Sequence, residues 1–136
     1  MTAARHNLVI DQGSTFTQDI IVKDKTGNTS TVRDLSASGW SARASMRPTL
    51  ESTTVYIFDA TIPSVSASLG KIVMSFPFAD ITDGNQPPTV TQVGTTSIPA
   101  GNYVYDLELV DARDPANEKV HKLIFGTATV RREVTR

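Results

Sequence analysis

Asp106 and Glu108 stand two residues apart in the segment Ile98-Pro99-Ala100-Gly101-Asn102-Tyr103-Val104-Tyr105-Asp106-Leu107-Glu108-Leu109-Val110-Asp111. Alternation with period two places both carboxylates on one face of a strand, roughly 6.5 Å apart, the separation at which an inverting glycosidase holds a water between its acid and its base. A hydrolase built on this pair needs a concave site around the strand. An acidic, solvated strand face gives the same pattern, and no cleft signature accompanies it, so no catalytic role is assigned. With Asp111, Asp114 and Glu118 the pair could offer oxygens to calcium, but no glycine-punctuated loop of regular spacing presents them. His6 and His121 are far apart in the chain, and neither is assigned to a metal or a general base. No cysteine is present, which excludes thiol nucleophiles, thiolate zinc, iron–sulfur centres and disulfides. The many serines and threonines lack a nucleophile-elbow setting. Asn28-Thr29-Ser30 fits the glycosylation acceptor pattern and is read as coincidence. Trp40, Tyr56, Tyr103 and Tyr105 could stack on a sugar, yet each sits in an alternating pattern that favours the core. No cofactor is expected.

The elements that would carry these residues are strands. In the tyrosine segment Pro99 and Gly101 shape a tight turn, after which Tyr103, Tyr105, Leu107 and Leu109 share one face. Earlier strands are expected over 7–11 and 16–23, parted by the Gly13 break, then over 29–33 after a hairpin loop at 24–28 with Gly27 at positive φ. Trp40, Ala42, Ala44 and Met46 alternate with Ser41, Arg43, Ser45 and Arg47, so that strand turns its indole inward and its arginines outward. Further strands are expected over 54–62, 70–76, 119–126 and 127–134, with Gly126 marking a bulge or bend between the last two. Buried positions are expected at Trp40, Met46, Ile72, Met74, Tyr105, Leu107 and Leu109. Residues 77–97, rich in Pro, Gly, Thr and Asp, show no alternation and read as a long functional or mobile loop.

A chain of 136 residues is enough for one domain with a true core. Thirteen basic against fourteen acidic side chains leave a formal charge of −1, which offers no field for a polyanion. Lys119, Lys122, Arg131, Arg132 and Arg136 make the last third modestly basic, a solvated face or a patch for an acidic protein neighbour. The start lacks an apolar leader, and no stretch reaches bilayer-spanning length. Neither nucleic acid nor membrane is expected as a partner.

The order of short motifs resembles that of small structural proteins of tailed bacteriophages, similar to the immunoglobulin-like domains of baseplate and tail-fibre components. The matching pieces are Asp11-Gln12-Gly13 with Phe16; Asp34-Leu35-Ser36 with Gly39-Trp40-Ser41-Ala42-Arg43; Gly70-Lys71-Ile72; Pro99 to Leu109; and Gly126-Thr127-Ala128-Thr129-Val130 with Glu133-Val134-Thr135-Arg136. The segments 48–54 and 77–97 look longer than in the simplest members.

The resemblance implies a non-enzymatic virion component, made in the host cytoplasm and assembled with other phage structural proteins in the baseplate or tail, or the neck. The expected architecture is an all-β, antiparallel immunoglobulin-like β-sandwich of about seven to eight strands, one domain over 1–136. Several copies in a symmetric ring are expected. Partner contacts are expected at Ile81, Asp83, Pro87, Pro88, Val90 and Val93 of the long loop and at Arg131, Arg132 and Arg136. Two other functions stay open: a carbohydrate-binding host-attachment module using the aromatics, and a hydrolase using Asp106 and Glu108.

Overall fold

The computed structural model describes residues 3–133, and these are all-β, with no α-helix among them. The long strand β12 (Gly101–Asp111) is central, as its alternation requires. It pairs antiparallel with β6 (Trp40–Arg47) on one side and with β13 (Lys119–Arg131) on the other. Beyond β6 lies the short β7 (Tyr56–Ile57); beyond β13 lie β1 (Ala4–Arg5) and β2 (Leu8–Asp11). A second sheet has β9 (Lys71–Phe76) between β3 (Phe16–Ile21) and β8 (Asp59–Thr61). Two hairpins stand outside these sheets: β4 (Lys23–Thr26) with β5 (Thr29–Val32), and β10 (Ile81–Thr82) with β11 (Val90–Gln92).

The two main sheets share one core. Ile72, Met74 and Phe76 of β9 meet Met46 of β6 and Tyr105, Leu107 and Leu109 of β12, all essentially removed from water. Each such aliphatic side chain contributes on the order of 1.5–3 kcal/mol through burial. The expected core thus forms at Met46, Ile72, Met74, Tyr105, Leu107 and Leu109. Trp40 is the exception, only partly buried at the core margin. Two guanidinium groups lie over its indole, Arg113 at 4.3 Å and Arg33 at 5.6 Å from the ring centre, and its Nε1 is buried without an acceptor among the described residues.

Several expected boundaries move, each for a local reason. The expected strand 54–62 is two strands in different sheets: Ile57 pairs with Ser45 in the larger, Asp59 with Ser75 in the smaller. Phe58 marks the crossing and sends its ring into the core, 4.3 Å from Phe76 and 6.2 Å from Tyr105 between ring centres. Residues 16–23 likewise divide, the chain leaving β3 at buried Val22 for the β4–β5 hairpin, whose first strand takes Lys23 and continues to Thr26, into the expected loop 24–28. Gly27 has the expected positive φ, 61°.

Gly126 does not interrupt the final strand, since β13 runs through it. A β-carbon there would lie 2.4 Å from the His6 carbonyl oxygen, so the missing side chain lets the N-terminal strand cross closely. The irregularity falls instead at the register shift between Leu107 and Glu108, where Leu107 faces Ile124 but Glu108 faces Lys122. Leu123 is the extra residue, and Leu123 and Ile124 are consecutively buried as a bulge permits. Nor is the pairing wholly antiparallel. β1 and β2 both run parallel to β13, in one unbroken register from Ala4 opposite Ile124 to Asp11 opposite Arg131.

Candidate functional site

The outer face of the larger sheet follows from its register. Because paired residues point to the same side, Arg5, Phe125, Asp106, Ser45 and Ile57 form one row across five strands. Thr127, Val104 and Arg47 form the next row, and Lys122, Glu108 and Arg43 a third. Over these rows opens a concavity of about 520 Å³, walled by Arg5, Arg47 and Leu50 with Val104 and Phe125 in its floor. Asp106 and Glu108 are therefore beside a concave surface, as the hydrolase reading needs. Both engage cations: Glu108 accepts from Arg43 at 2.8 Å, and Asp106 lies 3.3 Å from Lys122 Nζ. These are cross-strand charge pairs of the kind that stabilise an exposed sheet face. Arg5 and Arg47 have no carboxylate partner among the described residues; Arg47 donates to the Ser52 carbonyl.

Two of the remaining acids that could have served calcium, Asp111 and Asp114, are spent locally. Asp111 receives a two-pronged bond from Arg113, whose guanidinium holds the carboxyl far below its usual range. Asp114 accepts from the Ala116 N–H and the Asn117 amide in the β12–β13 turn. Among the described residues no three His, Cys, Asp or Glu side chains are grouped to hold a metal ion. The aromatics do not share an open surface either: Tyr103 and Tyr105 are buried, and Tyr56 meets Tyr103 edge-on at 5.7 Å.

The segment 77–97 is not the irregular loop expected. It contains the β10–β11 hairpin and a single 3-10 turn at Thr95–Ser97, and it is braced at its base. Thr95 N–H donates to the Pro77 carbonyl and Gly94 N–H to Asp80; the buried Thr95 hydroxyl donates to the Ser14 carbonyl. At its tip, Asp83 accepts from the N–H groups of Asn85 and Thr89 and from the Asn85 amide, hydrogen bonds that hold its carboxyl below the usual value. Alternation is absent because a side chain, not a pleat, organises the turn.

Of the expected contact residues, Ile81 and Val90 are about half exposed at 52% and 50%, and Pro87 and Pro88 are exposed at the tip. Val93 is different: it packs against the core and anchors the hairpin. Arg131 is exposed but committed, donating at 2.6 and 3.0 Å to Asp11 across the parallel pair. Arg132 is exposed, and Arg136 lies outside the described residues. Sequence reasoning missed Ile57 and Phe78, 62% and 59% exposed beside this hairpin. Ile57 is tied to it directly, since the Gln92 amide donates to the Ile57 carbonyl.

Fold and surface define an all-β protein with a concave outer sheet face and a braced apolar hairpin at the edge of that sheet. Compared with protein-family models and with curated proteins, the chain matches none.

Proposed function

We propose that this chain is a non-enzymatic structural and adaptor component of a tailed-phage particle, built on an immunoglobulin-like β-sandwich and meeting its neighbours through the 77–97 hairpin. The strand order supports the finer fold. In the immunoglobulin arrangement the third, sixth and seventh strands make one sheet, and the second pairs with the fifth and fourth in the other. Here β6–β12–β13 and β3–β9–β8 fill those two sets in chain order. Tyr103, near the start of β12, donates at 2.6 Å to the Pro99 carbonyl four residues upstream, which is the tyrosine corner of such domains.

The observation that carries the functional reading is the hairpin itself. It is held by backbone and side-chain bonds at both base and tip, yet Ile81 and Val90 face water. Order that exposes apolar side chains suits a preformed contact, because little entropy remains to be lost on docking. Gold-labelled antibody to the purified chain, applied to phage particles from a lysed source culture, tests this. Label on tails or baseplates is expected; particles without label, with the chain left in the soluble fraction, overturn the proposal.

A further inference from the structure

We infer that copies of this chain associate head to tail, the hairpin of one seated in the concave outer sheet face of the next. This deepens the assembly reading above and rests on it for its setting. The two surfaces are complementary in charge. Residues 77–97 contain two acids, Asp80 and Asp83, and no Lys or Arg. Both acids lie at exposed positions of the hairpin that presents Ile81 and Val90. In the concavity, Glu108 and Asp106 are answered by Arg43 and Lys122, which leaves the positive charges of Arg5 and Arg47 without carboxylate partners among the described residues. The lining between and around those two guanidinium groups is mixed: Val104, half-buried, Phe125, 36% exposed, and Leu50, 78% exposed, offer apolar surface among Ser45, Thr127 and the paired carboxylates. A negative projection that exposes two aliphatic side chains thus has, on the same molecule, a recess with surplus positive charge and apolar patches.

The two patches lie at different places on the larger sheet. The hairpin is tied to Ile57 on β7, the edge of the larger sheet, whereas the recess opens over β6, β12 and β13 and is flanked by Arg5 of β1 near the opposite edge. Two different patches that fit one another make a heterologous contact, which repeats around a closed ring or along a filament. Charge opposition at the rim gives it register and makes it sensitive to salt.

Sedimentation velocity of the intact chain, over rising concentration at low ionic strength, tests the contact. Concentration-dependent association is expected, reversed in about 1 M salt, where the screening length falls to about 3 Å. Arg5→Glu, and Arg5→Glu with Arg47→Glu, should each weaken it, the pair by about tenfold or more. Ile81→Lys with Val90→Lys should do the same from the other side, at exposed positions where folding is little affected. Mixing the two double variants restores opposite charge at every contact, so the mixture associates more tightly than either double variant alone. A chain monomeric at all concentrations overturns the inference, as does charge-reversed protein that associates like the original, or a mixture without recovery. A chain that labels particles but stays monomeric removes this contact and leaves the particle reading. Swap-dependent association without particle label does the reverse.

Discussion

The hydroxyl of Tyr105 donates to the carbonyl of His6, 99 residues earlier in the chain, and that carbonyl also occupies the space a side chain on Gly126 would need. One backbone oxygen therefore sets how closely the N-terminal strand lies on β13, with Tyr105 reaching it from β12 and Gly126 making room. Burial pushes the Tyr105 phenol up to about 12 from 10.0.

A raised folded-state value for an acid means that the unfolded chain ionises first. Stability from Tyr105 is complete below pH 10 and is lost as pH rises toward 12. Urea midpoints measured through this window should fall, and Tyr105→Phe should flatten the part of the fall that belongs to this group. At neutral pH the same substitution should cost about 1 kcal/mol, for the hydrogen bond withdrawn from His6.

Gly126→Ala should be more disruptive than its chemistry suggests, because the new methyl would lie 2.4 Å from backbone rather than from a yielding side chain. We expect about 1–3 kcal/mol of destabilisation. Faster amide exchange in residues 8–11, with β9 unchanged, is the signature; an unaltered N-terminal strand would show that His6 moves aside freely.

Leu107→Ala, at a fully buried position facing the smaller sheet, should cost about 2–5 kcal/mol. Thermal or urea unfolding measures it directly. A midpoint unchanged by the truncation would mean that Leu107 does not pack as described.

Asp106→Asn with Glu108→Gln removes two cross-strand pairs from an exposed face and should shift stability by no more than about 1 kcal/mol per pair. Particle assembly should stay near normal. Loss of a hydrolytic activity from the folded double variant would instead make the pair catalytic.

What the sequence made readable was whatever is written in a period of two. Strands β6, β9 and β12 declare their inward faces through Ala44 and Met46, Ile72 and Met74, and Leu107 and Leu109, and all of these are buried. Alternation says nothing about which sheet a strand joins, so the crossing at Phe58 was invisible, as was the parallel lie of β1 and β2. The β10–β11 hairpin escaped because Asp83 organises it through hydrogen bonds that leave no hydropathy pattern. The concave face was hidden for a related reason. Arg5, Phe125, Asp106, Ser45 and Ile57 come from five strands, and only register brings them into one row.

The parallel pairing of β2 with β13 has a mechanical consequence. From Ala4 opposite Ile124 to Asp11 opposite Arg131 the two strands advance together, so those ends of the ladder are separated by about 23 Å along the sheet. Tension applied at Ala4 and at Arg131 would run along the strands and load their hydrogen bonds and the Arg131–Asp11 pair side by side, in shear. An antiparallel pair pulled from adjacent ends would open one rung at a time. The outermost strand, which looks the easiest to peel away, is placed where the molecule would bear a lengthwise pull.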